Sequence, residues 1–533
     1  MQDSIHSVEV VFLLLLFFVV AFGVLARRLR TPYPIVLVIG GLLLSFVRGI
    51  PKISLDPNFV FLVILPPLLY SAAWLTSWRE FSRNLVSILS LAFGLVSFTV
   101  IGVGYACHWF LPGFDWRMGL VMGAVVAPTD AIAATAIANR VGLPKRIVDV
   151  LEGESLLNDA TALLALEFGI ALLVGEQAPT LSSGLSRLGI LIVVGVGVGL
   201  AIGGIVHWVE HQINDGPVEI ALSILTPYVA YLSAEALHAS GVLAVVVCGL
   251  YLGRRSSHFF SPSVRIQAWA VWDSLTFILN GIVFVLIGLQ LPYVIEGIRG
   301  YPLKTLLLYS AIFSAFLIVL RLVWVFPGSA ISFFIRRQLL HQRESKPTRR
   351  ELFVVGWTGM RGVISLAAAI SLPQVLSNGE PFAQRNLIIF FTFSVILVTL
   401  VLQGLTLPPL IRGLGLASAP TGHCEEKEAR RMMLQAALSR LEKLGGLEGS
   451  EEHAVYEDLA KQYRRRLGSV TDGDEVIPDF ELFVSVSREL LQLERQTAVN
   501  LRNQGRINDE VLRELERELD LGEAKLARRG DGE

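Results

Sequence analysis

Glu152-Gly153-Glu154-Ser155-Leu156-Leu157-Asn158-Asp159 puts three carboxylates inside a stretch, residues 147–174, that is otherwise apolar enough to cross a membrane. Asp159 falls near the centre of that stretch. A charged group at such depth costs at least ~2.5–3.5 kcal/mol on insertion scales, so an intramembrane carboxylate is first of all a functional-site candidate. The job it points to is carrying a cation or a proton across the bilayer.

The rest of the chain supplies the setting. Its 533 residues are 53% hydrophobic and 17% charged, with a mean hydropathy of +0.59. That is the profile of a polytopic protein whose partner is the lipid bilayer, built from apolar runs near ~20 residues. A formal net charge of −1 suggests no nucleic-acid partner. Cys107, Cys248 and Cys424 form neither a metal pattern nor a disulfide framework. Residues 8–26 follow Asp3 rather than a basic head and lack a small-residue cleavage site, so they read as a retained first span.

Thirteen spans are expected, over residues 8–27, 33–49, 56–75, 85–111, 117–138, 147–174, 185–208, 218–235, 238–253, 266–291, 302–335, 351–372 and 386–411. Glu235, His238, Ser240 and Gly241 leave 218–253 as either two short helices or one re-entrant hairpin. The connections after the odd-numbered spans hold 17 basic residues against seven on the other side. The basic side is expected in the cytoplasm, with the N-terminus outside.

From Glu425 onward the chain carries 25 acidic and 18 basic residues, 43 of its 91 formal charges, which marks a change of solvent near residue 420. The expected division is a transmembrane domain over 1–415 and a soluble cytoplasmic helical tail over 416–533, regulatory or dimerising. Apolar residues at three- and four-residue spacing predict tail helices over 425–444, 452–467 and 480–521. Gly445-Gly446 and Thr471-Asp-Gly-Asp474 interrupt them, and the tail shows no nucleotide-binding or metal motif.

Helical spacing sorts the polar groups of span 6. Glu152, Ser155 and Asp159 share one stripe, and Glu154 and Asn158 occupy the next. A carboxylate beside a hydroxyl and an amide carbonyl supplies the oxygens a dehydrated cation needs. Glu152, near the cytoplasmic end, reads as an interfacial or paired group. In span 5, Pro128 removes a backbone donor just before Thr129 and Asp130, so freed carbonyls and a second carboxylate meet at mid-membrane. Broken helices of this kind line ion sites in secondary transporters.

Span 12 carries Arg361 within Gly356-Trp-Thr-Gly-Met-Arg361-Gly362, and span 11 carries Arg321. A buried guanidinium requires a carboxylate, and the candidates are Glu154, Asp130 and Asp273. Both arginines read as structural or tuning groups. Asp273, in Trp272-Asp273-Ser274, reads as a helix-contact residue. Of nine histidines none sits mid-span; His207, His211 and His258 fall at or near loops.

These motifs have a recognisable counterpart. Gly153-Glu-Ser-Leu-Leu-Asn-Asp-Ala160 resembles the signature of the sodium/proton exchanger branch of the monovalent cation:proton antiporters, which includes bacterial NhaP-like proteins. Ala127-Pro-Thr-Asp130, Gly359-Met-Arg-Gly362 and Phe61-Leu-Val-Ile-Leu-Pro-Pro-Leu-Leu69 resemble further elements of it, and the likeness covers about residues 8–412. It implies an all-α, 13-span NhaA-like fold of inverted repeats with spans 5 and 12 broken, a homodimer in the bacterial inner membrane, and electroneutral exchange of one cation for one proton.

Position by position, the resemblance makes Asp159 the residue that binds cation or proton alternately. Ser155, the Thr129 carbonyl and Asn158 complete the site, with Asp130 close by. It pairs Glu154 with Arg361 and matches Arg321 to another arginine of the family. Na+, Li+ or K+ would be cargo, with no resident cofactor. Tyr70-Ser71-Ala72 stands where many members have an acidic residue after the span-3 prolines. Two other readings compete: a cation channel using Asp159, and an intramembrane hydrolase with Ser155 as nucleophile. The second needs a base within hydrogen-bond reach, and no mid-span histidine or lysine offers one.

Overall fold

A computed structural model describes residues 2–47, 55–111, 113–174, 181–213, 215–259, 262–342, 346–375, 381–417, 422–445, 453–471, 478–504, 506, 511–512, 515 and 519–523. Its described residues are helical with no strand; one isolated bridge joins Val375 to Pro381. Met1–Pro420 and Thr421–Glu533 form two compact units.

The first unit opens with α1 (Gln2–Arg28) and α2 (Tyr33–Leu44), then a π-helical segment, Phe59–Ile64, that runs into α3 (Leu65–Leu75). α4 (Trp78–Leu89) passes through a second such segment, Ser90–Leu95, into α5 (Val96–Phe110). Next come α6 (Trp116–Val126), α7 (Ala131–Val141), α8 (Lys145–Val174), α9 (Leu181–Glu210), α10 (Gly216–Ala236) and α11 (Gly241–Phe259). α12 (Pro262–Leu289), the short α13 (Leu291–Gly297), α14 (Leu303–Gln338), α15 (Arg349–Trp357) and α16 (Val363–Ile370) follow. α17 (Arg385–Val398) continues through π-helical Thr399–Gln403 into α18 (Gly404–Gly413).

Eight of the described helices are long and apolar enough to cross a membrane, or nine when α6 and α7, bent by 41°, count as one span. The thirteen stretches expected from the sequence exceed that number for local reasons. Tyr33–Leu44 and Phe59–Leu75 are shorter apolar helices, α15 and α16 have only 9 and 8 residues, and α11 gives its last turns to Arg254, Arg255 and polar residues. The ambiguous stretch 218–253 forms two helices, with His238 in the left-handed region (φ 52°) at the turn between them.

Lipid offers helices no hydrophobic reason to associate, so close backbone packing between small residues matters most. α2 and α12 show it. A Cβ on Gly41 would stand 3.1 Å from the Val285 Cα, and one on Gly288 would stand 2.5 Å from the Leu42 amide nitrogen. Buried Leu37, Val38, Val285 and Ile287 fill the seam around that contact.

The second unit contains α19 (Gly422–Gly445), α20 (His453–Thr471) and α21 (Pro478–Asn503). Arg464 reaches Glu442 at 3.4 Å, tying α20 to α19. The single helix expected over 480–521 is corrected. α21 stops at Asn503, and Arg495 holds Asp520 at 2.7 Å and Glu523 at 2.8 Å. A straight helix would separate Arg495 and Asp520 by roughly 37 Å, so the chain turns back on itself. The expected interruptions at Gly446 and at residues 472–474 lie outside the described residues.

Candidate ion-binding site

Two helix breaks build the site. α6 ends at Val126, where Pro128 brings no N–H to extend the ladder. α7 restarts behind Asp130, whose Oδ1 accepts the Ile132 N–H at 2.8 Å as an N-cap. The second break separates α15 from α16 at residues 358–362. The breaks touch: the Asp130 N–H donates to the Met360 carbonyl at 2.8 Å, and the Ser365 hydroxyl donates to the Pro128 carbonyl at 3.4 Å. Gly362 lies so close that a Cβ there would stand 2.5 Å from Asp130 Oδ2.

α8 presents its polar stripes to this crossing. The Ser155 hydroxyl donates to the Thr129 carbonyl at 2.9 Å and accepts the Ala131 N–H at 3.3 Å. Asn158 Nδ2 donates to Thr129 Oγ1 at 2.6 Å and to the Thr129 carbonyl at 3.4 Å. Thr129 Oγ1 in turn donates to Glu154 Oε1 at 3.1 Å. Thr129 therefore joins both stripes: its carbonyl accepts from Ser155 and Asn158, and its hydroxyl links Asn158 to Glu154.

The pairing of Glu154 with Arg361 is corrected. Glu154 takes Arg321 in a two-pronged pair, Nη1 to Oε1 at 2.5 Å and Nη2 to Oε2 at 2.8 Å. Arg361 donates instead to the Val126 carbonyl at 3.1 Å and to the Gly359 carbonyl. Arg321 also donates through Nε to the Val355 carbonyl at 3.3 Å. The arrangement has a simple cause. A broken helix leaves carbonyls without donors at its C-terminal end, where the dipole favours positive charge. Arg361 serves the end of α6, Arg321 the end of α15, and the Asp130 carboxylate sits at the positive start of α7.

Asp159 stands apart from these bonds. It is the fifteenth residue of the 30-residue α8, is 3% exposed, and has no hydrogen bond or ion pair among the described residues. The Oδ1 of neighbouring Asn158 is buried and also unmatched. An acceptor oxygen buried without a donor is costly, and a carboxylate beside it makes a place that a cation or proton would satisfy. Ser155, engaged by backbone groups alone among the described residues, meets no base.

Other expected residues lie elsewhere. Asp273 is exposed on α12. On α3, Tyr70 packs its ring 5.3 Å from that of Trp272, and Ser71 donates to the Leu68 carbonyl of its own helix. His207 and His211 set their rings 4.8 Å apart near the end of α9. Sequence reasoning missed Thr399, whose hydroxyl accepts the Arg361 N–H at 3.2 Å, and Ser365. A hydroxyl in the middle of an apolar run was the available signal for both.

Comparison with known proteins gives the family. Residues 13–413 match the family model described as "Sodium/hydrogen exchanger, transmembrane". An uncharacterised Na+/H+ exchanger of Mycobacterium tuberculosis is 36% identical over 546 residues, covering 100% of this chain and 98% of its own. A Na+/H+ antiporter of Aphanothece halophytica is 33% identical, covering 77% of this chain and 75% of its own. A sodium, potassium, lithium and rubidium/H+ antiporter of Bacillus pumilus is 33% identical, covering 82% of this chain and 66% of its own. The sodium/proton antiporter MjNhaP1 of Methanocaldococcus jannaschii shares the fold, with a TM-score of 0.59 at 20% identity over 78% of this chain and 100% of its own. The chain belongs to the sodium/hydrogen exchanger family, the NhaP-like branch of the monovalent cation:proton antiporters.

Proposed function

We propose that this chain exchanges Na+, with Li+ and K+ as further candidate cargo, for H+ across a bacterial plasma membrane, electroneutrally and by alternating access. One observation carries the reading: a carboxylate at the middle of α8, Asp159, buried and without a protein partner among the described residues, beside the unmatched Asn158 Oδ1. A single carboxylate holds a proton or a cation but not both, so the two ions compete for it. Asp159 alternates between them, and the Ser155 hydroxyl, the Thr129 carbonyl, Asn158 Oδ1 and Asp130 supply the other oxygens. The Thr129 carbonyl already accepts from Ser155 and Asn158, so a cation bound there displaces hydrogen bonds, which softens the difference between the two states. Asn158, in place of a second acid, limits the charge carried per cycle.

In this reading the polypeptide crosses the membrane thirteen times, with its N-terminus outside. The broken pairs α6–α7 and α15–α16 occupy corresponding places in inverted halves, and two copies form a homodimer. The tail lies in the cytoplasm and shifts the transport cycle by favouring one conformation. The test is cation-driven proton flux by purified protein in sealed vesicles. Counterflow supports the carrier; conductance without counterflow would make it a channel and overturn the reading. Removing residues after 425 should preserve exchange and alter its dependence on internal pH, measured at equal reconstituted amounts. An unchanged pH profile would deny the tail its role.

A further inference from the structure

Away from the crossing, a cleft of about 620 Å³ opens where α3 and α11 end and α4 and α12 begin. The membrane-length stretches through α4 and α12 start at Trp78 and Val264, so the cleft lies at the edge of the hydrocarbon. The loops after spans 3 and 9 that flank it belong to the basic side of the chain. Buried Trp74 forms part of its wall. That ring stands 6.3 Å from those of Tyr70 and Trp272, and a Cβ on Gly253 would stand 2.9 Å from its Cδ1. Trp78 and Trp269, both exposed, also line the cleft.

Two guanidiniums, Arg79 and Arg254, belong to the lining, and no carboxylate does. Both arginines are exposed, and neither has an ion-pair partner among the described residues. Glu80, the next residue along α4, does not line the cleft and lies within electrostatic reach of Asp149 on α8. The hydroxyls divide. Thr76 donates to the Ala72 carbonyl at 2.8 Å and Ser82 to the Arg79 carbonyl at 3.0 Å. The Ser77 hydroxyl caps nothing at the start of α4 and remains a donor.

Arginines and tryptophans scattered singly at a membrane edge need no explanation, because they snorkel or join the aromatic belt. Here they converge on one hollow from two connections far apart in sequence. We infer that the cleft binds the headgroup of an anionic phospholipid, with Arg79 and Arg254 on its phosphate. Planar guanidiniums match phosphate oxygens in pairs, and basic pockets between membrane helices hold such headgroups. Exposed Leu75, Ile266 and Trp269 give the acyl chains an apolar bed, which a free phosphate would not use. Arg79 belongs to α4 and Arg254 to α11, so one headgroup bridges two helices. This site stands independently of the exchange reading.

Lipid binding by the full-length protein tests this. Delipidated protein in detergent is titrated with phosphatidylglycerol brominated on its acyl chains, and quenching of tryptophan fluorescence is compared with that by brominated phosphatidylcholine. Phosphatidylglycerol should reach half-maximal quenching at a concentration about thirtyfold lower. Equal concentrations would reduce the cleft to ordinary interface and overturn the inference. Arg79→Gln combined with Arg254→Gln should abolish the preference, and a folded double variant that keeps it overturns the assignment. Arg255 lies beside the cleft without lining it and donates to the Tyr251 hydroxyl at 2.8 Å. Arg255→Gln should therefore leave the preference intact, whereas a loss equal to that of Arg254→Gln alone would mean diffuse attraction and no site. Excess inorganic phosphate should not displace the lipid; displacement would make free phosphate the ligand. The native comparison and the phosphate arm need no variant, so they decide even if a substitution prevents folding.

Discussion

The chain makes the same chemical bond in two opposite surroundings. In the crossing, Arg321 meets Glu154 with each side chain 2% exposed. In the tail, Arg495 meets Asp520 and Glu523 at similar distances, with the three side chains 33%, 63% and 44% exposed. Water replaces the tail partners as soon as they separate, so such a pair contributes little. Nothing replaces the partners in the crossing. The value of an ion pair is set by what each charge meets when the other leaves, and Asp159 extends the lesson: a buried charge without a fixed partner is a place for a mobile one.

The largest effect that can break this comparison is Asp159→Asn. It should insert and fold but abolish exchange, measured as cation-dependent proton flux, because no other group at the middle of α8 can trade a proton for a cation. Substantial flux with normal cation affinity would remove Asp159 from its role. Next come Glu154→Gln and Arg321→Gln. Each strands its partner and should cost about 3–5 kcal/mol of stability, seen as lost yield of detergent-stable protein. The combined neutral variant should recover most of that yield, whereas single variants of full stability would show that the pair is not the buried unit described here.

Gly362→Ala is expected to be milder. Its methyl group would press on the Asp130 carboxylate at a cost of about 1–3 kcal/mol, raising the half-saturating cation concentration about tenfold; an unchanged concentration would show that the crossing yields easily. Smallest is Arg495→Ala, which should leave both exchange and the thermal unfolding midpoint unchanged within error. A clear drop in the midpoint would mean that exposure is a poor guide to the worth of the tail pair.

Much of this was legible in the sequence, for identifiable reasons. Apolar runs announce membrane helices, and Pro128 followed by Thr129 and Asp130 announces a break, because proline lacks the donor a helix needs. The stripes on α8 follow from helical spacing and meet the first break at Thr129 as two sets. The partner of Glu154 was not legible. Arg321 and Arg361 are chemically alike, both mid-span, and far from Glu154 along the chain. The structure distinguishes them by what each guanidinium meets: Arg321 takes both Glu154 oxygens, and Arg361 rests on the Val126 and Gly359 carbonyls. The tail failed differently. Its periodicity continues past Asn503 without a strong breaker until Gly505, and the return of the chain, which the Arg495 contacts mark, is not encoded in any local pattern.

The main-chain bond from Asp130 to Met360 has a mechanical consequence. It is a rivet between two levers. While it holds, neither interrupted span can slide past the other, and a displacement imposed on one break is delivered to its counterpart. A carrier that turns its cargo from one face of the membrane to the other around this crossing therefore has to swing the riveted piece as a whole. In the proposed exchange cycle the bearing surfaces would lie outside the crossing, where its helices pack against the rest of the bundle.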